Sequence, residues 1–425
     1  MRSILGLVLK RGLTTLFFIF VSMAFSKVIG QAQVKQNLVE LVQQNRLSHA
    51  LLFLGPEGSG ALPLALAFSQ YVVCEKVNGR QETAAAGASL FGGEPAPAAK
   101  PLAMTDACGV CPACIKASQM VHPDIHYSYP VIPRKPGDKP VSTDYGSEWR
   151  EFMGQYPYGN AYDWLQFIGA ENKQGNITAQ ECNDIIHKLS LKSFESGYKV
   201  LILWMPEYLG NEGNKLLKLI EEPPANTLFL LVAENESLIL QTILSRTQLV
   251  KIPLPEVADI QEALVTRSKM EEGQARRIAV LSEGNYHEAL QLTRSADDDW
   301  QGVLREWLNA ILKNGPIAQV KWIDDVSKLG RERQKQFLRY FNHLLEQAVR
   351  LRYIDAALLP IPDGEKDIAL RLNKIADVAQ QNAIIGELDR AAYYIERNAH
   401  AKMLFHALTI KLLHVLKERT IVQIN

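Results

Sequence analysis

Charge of one sign is missing from this sequence: 46 Lys and Arg balance 46 Asp and Glu over 425 residues. No overall positive field marks the chain as a stand-alone nucleic-acid binder, so any contact with DNA is local or shared with partners. Long apolar runs are also scarce. The run near the start, "LTTLFFIFVSMAF" after Arg2, Lys10 and Arg11, is too short for a membrane span and has the outline of a signal peptide. Met23 within it opens "MAFSKVIGQ", which reads as a natural start, so residues 1–22 are read as an extension from a mis-assigned start and not as an export signal. Cysteine is rare as well, five in all, and clustered thiols suit a reducing compartment. The sequence therefore points to a cytoplasmic chain without a membrane anchor, long enough for two or three domains.

Periodicity separates two regions. "QVKQNLVELVQQNRL" places Val34, Leu38, Leu41 and Val42 on one helical face, "HALLFLG" reads as a strand, and "PLALAFSQYVVC" as the helix that follows. Pro63 is tolerated there because a first turn needs no amide donors. Further on, Ile177, Cys182, Ile185, Ile186 and Leu189 recur at helical spacing. "YKVLILWM" and "TLFLLVA" are buried strands, and "NEGNKLLKLIEEPP" between them reads as a helix stopped by Pro223 and Pro224. Strands alternating with helices imply a parallel sheet covered on both faces. After "SRTQLVKIPLP" the pattern is helical throughout: a small unit at 255–297, then a larger one at 298–425. Its last helix (Leu404, Leu408, Ile410, Leu412, Leu413, Leu416) is apolar enough to lie inside a bundle or between subunits. Two irregular stretches interrupt the first region. Residues 75–106, rich in Ala, Gly and Pro, read as a flexible insertion; 127–175, rich in Tyr, Pro and Gly, reads as a packed surface excursion.

"ACGVCPACIK" spaces Cys108, Cys111 and Cys114 three residues apart, with Cys74 upstream. Disulfides within such a run would be strained and would leave an odd thiol, whereas four thiolates satisfy tetrahedral zinc in a closed, structural site. A redox or incidental cluster is the alternative. Cys182, on an apolar helical face, reads as core.

The first strand runs into Gly55-Pro56-Glu57-Gly58-Ser59-Gly60, the outline of a phosphate-binding loop. The pattern then requires Lys and Ser or Thr, and this chain supplies Ala61 and Leu62.

Taken together, "VIGQAQVKQNL", "RLSHALLFLGPEGSG", the four cysteines followed by "HPD", "SGYKVLILW", "NKLLKLIEEPP", "ILSRTQ" and "RNAHAKMLFHALTIKLL" resemble the bacterial DNA polymerase III clamp-loader subunits of the AAA+ superfamily, most closely those of the delta-prime type. The resemblance runs from Phe25 almost to the C-terminus. It implies an α/β AAA+ P-loop-type parallel sheet with a zinc module over 23–254, a helical lid domain over 255–297 and a C-terminal helical collar over 298–425. It also implies that Trp204 and Met205 stand where an ATPase of this family has Asp and Glu, that Ala233 replaces a sensor Thr, and that His287 replaces a sensor Arg. Without Lys there is no point charge on the terminal phosphates, and Leu62 and Trp204 offer no magnesium ligand. Gly55, Pro56, Gly58, Gly60, Ala61 and Leu62 are thus expected not to bind ATP productively. By the same resemblance Arg246, between Ser245 and Thr247, is an arginine finger reaching a neighbouring subunit's ATP; a surface ion pair is its plainer reading.

The implied role is a non-catalytic subunit of a hetero-oligomeric clamp loader. Its partners would be the gamma/tau ATPase subunits and the delta subunit, and through the assembled complex the sliding clamp and primed DNA. Two other readings stand beside it: an ATP-hydrolysing gamma/tau-type subunit, and a zinc-stabilised DNA-binding protein acting alone. His49, His122, the Glu221-Glu222 pair, Lys215 and Lys218 read as ordinary structural or solvated groups.

Overall fold

A computed structural model of the chain describes residues 24–78, 105–135, 137–170, 173–294, 299–354, 363–396 and 399–418. The extension at 1–22 and all but the ends of the 75–106 insertion lie outside the described residues. The chain divides into two compact units, 1–291 and 292–425. No described helix is long and apolar enough to cross a membrane.

The N-terminal unit is built on five parallel strands: β1 (Ala50–Leu54), β2 (Ile125–Ser128), β3 (Lys199–Trp204), β4 (Thr227–Ala233) and β5 (Gln248–Lys251), in the order β2-β3-β4-β1-β5. Apart from Lys199 and Thr227 at their starts, the central strands are apolar because both faces are covered, and their side chains alternate between two cores. Leu51, Phe53, Val200, Ile202, Trp204, Leu228, Leu230 and Val232 face one core. Ala50, Leu52, Leu201, Leu203, Phe229, Leu231 and Ala233 face the other, where Cys182, Ile185 and Leu189 of the helix Ala179–Ser190 pack as their spacing predicts. Helices α1 (Ala32–Gln43) and α2 (Ala61–Val73) flank the first strand.

The stretch read as a helix at 211–222 is helical up to Glu221: 3-10 turns run to Leu216 and an α-helix spans Leu217–Glu221. Gly210, at φ 49° and ψ −139°, sets it off from the turn that begins at Pro206. One reading of the sequence needs correction. The 127–175 stretch is not a surface excursion, because its helices Gly146–Gln155 and Ala161–Phe167 put Trp149, Phe152 and Trp164 into the main core. Trp149 stacks on Tyr129 at 4.1 Å and meets Trp164 edge-on at 5.2 Å, and the Trp164 indole N–H donates to the Pro130 carbonyl at 2.7 Å. Aromatic rings in offset and edge-on contact with a satisfied polar tip are core material, whatever the local polarity of the chain around them.

Three helices, Val257–Ser268, Glu272–Leu281 and Tyr286–Arg294, end the N-terminal unit. The described elements of the C-terminal unit are all helices. Its core includes Trp307 stacked on Trp322 at 4.5 Å, Phe337, Phe341 and Phe405. The helix Ala401–Leu413 buries Phe405, Leu408 and Leu412 in that core, while Ile410 and Met403 remain exposed.

Candidate functional site

The strand-to-helix turn after β1 keeps the backbone of a phosphate-binding loop. Gly58 and Gly60 take φ of 77° and 84°, which side-chain-bearing residues adopt only with strain, and the loop leads into the N-terminus of α2. The cleft above it has been filled. Ala61 and Leu62 are buried where the lysine and the hydroxyl of the pattern would stand, and Trp204 closes the end of β3, packed on Trp149 at 5.2 Å. Met205, at φ 57°, is buried too, with its amide donating to the Val232 carbonyl at 2.8 Å. What remains, lined by the loop, Pro157, Tyr158, Trp204, Ala233 and Glu234, has a volume of about 30 Å³. That is room for about one water, against the roughly 300 Å³ or more of a ligand pocket.

The structure brings Gly55, Pro56, Gly58, Ser59, Gly60, Ala61, Leu62, Trp204 and Ala233 to one place. His287 joins them through the loop Pro157–Gly159. Its Nδ1 lies 3.1 Å from the Tyr158 carbonyl oxygen and 3.5 Å from an Asp163 carboxylate oxygen, and its Nε2 lies 3.7 Å from Glu57. The lid also touches the loop directly: the Tyr286 amide donates to the Gly58 carbonyl at 3.3 Å, and a Cβ on Gly58 would lie 1.9 Å from the Asn285 side-chain oxygen. Tyr158 is a residue that sequence reading missed. Its one signal was its place in an aromatic-rich segment, which does not say where the ring lands.

Arg246 stands apart from this cleft, between the short helix Gln241–Leu244 and β5. Its guanidinium is paired with Glu221, and its Nη1 donates to the Thr242 carbonyl at 2.7 Å and to Ser245 Oγ at 3.1 Å. Thr247 donates its hydroxyl to the Leu244 carbonyl at 3.2 Å. Glu221 is the exposed helix end the sequence suggested, and it is also the arginine's partner.

Cys74, Cys108, Cys111 and Cys114 converge, with their sulfur atoms all within 4.8 Å of one another, and together they could hold a metal ion. The turn is organised around sulfur: the Cys108 amide donates to the Cys74 Sγ, the Cys111 amide to the Cys108 Sγ and the Cys114 amide to the Cys111 Sγ, each at 3.4 Å. A hydrogen bond from Cys114 and backbone donors hold the Cys74 thiol well below its ordinary value, at about 4, while the Cys114 thiol is pushed up by the same bond and by burial. Asp106, just before the cluster, accepts from the amides of Phe25 and Ser26 at 2.9 and 3.0 Å and so ties the module to the N-terminal segment.

His122 is buried and its Nδ1 accepts from the Asp124 amide at 3.1 Å, while the His49 carbonyl accepts from Phe229 at 2.8 Å. Burial pushes the Cys182 thiol up to about 11, as suits a core residue. Lys215 pairs with Glu212 at 2.7 Å.

A five-stranded parallel sheet, a glycine-rich turn from β1 into α2 and three helices ending against that turn define an α/β protein of the P-loop type. Within that class, the family model described as DNA polymerase III, delta subunit, matches residues 30–91 and 98–256, over half of the chain. The chain belongs to this family. It is 25% identical over 265 residues to DNA polymerase III subunit delta' of Bacillus subtilis, covering 62% of this chain and 60% of that protein. To the delta' subunit of Pseudomonas aeruginosa it is 27% identical over 278 residues, covering 64% and 65%. To subunit tau of Bacillus subtilis it is 25% identical over 339 residues, covering 78% and 48%. The chain therefore spans between about half and two thirds of the length of these relatives.

Proposed function

We propose that the chain is a non-catalytic, delta-prime-type subunit of a DNA polymerase III clamp loader. The observation that carries this reading is the narrowed cleft: about 30 Å³ between Leu62, Trp204 and Tyr158 argues against a bound nucleoside triphosphate. With Ala61 and Leu62 in place of lysine and hydroxyl and Trp204 and Met205 in place of the carboxylates, the chain would lack the groups that polarise a γ-phosphate and hold magnesium.

The subunit would act through Arg246. A planar, permanently charged guanidinium can bridge the phosphate oxygens of a neighbour's ATP as charge moves onto them. Its partners would be gamma/tau-type ATPase subunits and a delta subunit, with the helical C-terminal unit as the oligomerising collar. The assembled complex would place the sliding clamp on primed DNA in the cytoplasm.

The four thiols would hold structural zinc. Sulfurs 2.3 Å from one zinc at tetrahedral corners lie about 3.8 Å apart, and those of Cys108 and Cys114 are 3.8 Å apart. With four protein ligands no position stays open for a reacting water, so the ion would brace the turn before the helix Pro112–Ser118.

The rival is an ATP-hydrolysing subunit of the gamma/tau type. Purified chain titrated with ATP and magnesium should show neither binding nor turnover, and it should co-purify with the ATPase subunits. Tight, magnesium-dependent ATP binding with turnover by the isolated chain would overturn the assignment.

A further inference from the structure

Tyr158 is bound in the way a ligand is bound. Its hydroxyl oxygen accepts from the Ile29 amide at 2.9 Å. Its ring lies against the loop, 3.0 Å from where a Cβ on Gly60 would sit, and edge-on to Tyr286 of the lid at 4.8 Å. Its carbonyl oxygen lies 3.1 Å from His287 Nδ1. One buried residue therefore touches the segment before α1, the glycine-rich turn and the lid. Pro157 and Gly159 on either side of it also line the remnant of the cleft.

We propose that Tyr158 is a tethered occupant of this cleft, and that cutting it back exposes a cryptic binding site for a single aromatic ring carrying a hydrogen-bond acceptor. Lid and loop touch directly at Gly58, where the Tyr286 amide donates to the Gly58 carbonyl at 3.3 Å. Tyr158, being part of the chain, adds a tethered third body between them. The class of ring follows from the contacts: an edge-on tyrosine and a glycine face favour a flat apolar body, and the Ile29 amide demands one acceptor at its rim. An engineered apolar cavity of about 150 Å³ takes up benzene, so a void of ring size is large enough to be refilled.

The test is amide hydrogen exchange on the full chain, wild type and Tyr158→Ala, with phenol and benzene as probes. Tyr158→Ala should raise exchange at Ile29, Tyr286 and Ala289 at least tenfold, phenol should restore much of the protection, and benzene should leave Ile29 exposed. Phenol should not alter the wild type, whose site is taken. Unchanged exchange at Tyr286 and Ala289 in Tyr158→Ala, or no recovery with phenol, would overturn the proposal, as would equal protection of wild type and variant by phenol. Should Tyr158→Ala not fold, Tyr158→Phe decides: it keeps the ring and removes the acceptor, so Ile29 alone should exchange at least tenfold faster. Identical Ile29 exchange in Tyr158→Phe and wild type would show that the hydroxyl is not held there.

Discussion

Glu221 and Arg246 form an ion pair on the surface of the N-terminal unit, with the same guanidinium donating to the Thr242 carbonyl. Both side chains are partly exposed, at 46% and 33%, and a pair of this kind contributes only about 0–1 kcal/mol. The arginine is therefore parked and not buried: leaving Glu221 for a more concentrated negative charge costs little. Arg246→Ala should leave the urea midpoint of the isolated chain unchanged within about 0.5 kcal/mol. In the assembled complex it should lower ATP turnover at the site it faces by about a thousandfold. Arg246→Lys should not restore that rate, because an ammonium lacks the planar fork. Unaltered turnover by the Arg246→Ala complex, with clamp and primed DNA present, would remove the finger role.

Restoring the phosphate-loop side chains should not restore the site. Ala61→Lys with Leu62→Thr supplies the two missing groups, yet Trp204 and Tyr158 still fill the cleft. A lysine at the nearly buried Ala61 position has no carboxylate partner built for it and should cost about 3 kcal/mol of stability. Calorimetry should find no ATP binding to the double variant and urea unfolding should find it weakened. Micromolar ATP binding would mean that the lost side chains, and not the filled volume, silence the pocket.

Gly58 should resist substitution for two reasons at once, its φ of 77° and the 1.9 Å approach of Asn285 to an added Cβ. Gly58→Ala should cost about 2 kcal/mol or more. Adding Asn285→Ala should recover only the steric share. A double-mutant cycle in thermal unfolding that showed no coupling would place loop and lid apart in solution.

Much of this was legible beforehand because it rests on local pattern. The apolar runs of β1, β3 and β4, the helical spacing of Cys182, Ile185 and Leu189, and the C-x-x-C-x-x-C step each carry their structure in adjacent residues. Loss of the lysine was legible for the same reason. The fate of the emptied space was not, since Tyr158 lies roughly a hundred residues from the turn it fills, in a segment without sustained periodicity. The Glu221 contact to Arg246 is likewise a tertiary event. In the 127–175 stretch the aromatics signalled packing in a linear reading but not its place, which Trp149 and Trp164 fix in the main core.

Acid should weaken both units. Burial, followed by the charge of Lys188, pushes His126 on β2 down to about 4; burial, followed by Arg350, does the same to His343 in the C-terminal unit. The unfolded chain takes up protons on these imidazoles near pH 6.5, whereas the folded chain resists until about 4. Their contribution is therefore present in full above about pH 6.5 and is lost as the pH falls toward 4, where folded and unfolded forms bind protons equally. Urea midpoints measured between pH 7 and 4 should fall, and His126→Asn or His343→Asn should flatten that fall. An equally steep acid limb in both variants would assign it to carboxylates instead.

Metal removal should act on the N-terminal unit alone. Purified without chelator, the chain should carry one zinc, and Cys74→Ser or Cys114→Ser should lose it, because the three remaining thiols no longer close a tetrahedron. Ligands must shed protons to bind, so zinc should also be released as the pH falls, with a steeper dependence than a single titration. The loss should loosen the turn before Pro112–Ser118 and, through Asp106, the hold on the Phe25 and Ser26 amides. The N-terminal melting transition should drop by several degrees while a second transition from the C-terminal unit stays in place. Cys182→Ser provides the control. That thiol packs against the opposite face of the sheet, in the core with Ile185 and Leu189, so its replacement should cost stability and leave the zinc content at one. Zinc lost equally from Cys182→Ser, or retained in Cys114→Ser, would place the metal somewhere other than these four sulfurs.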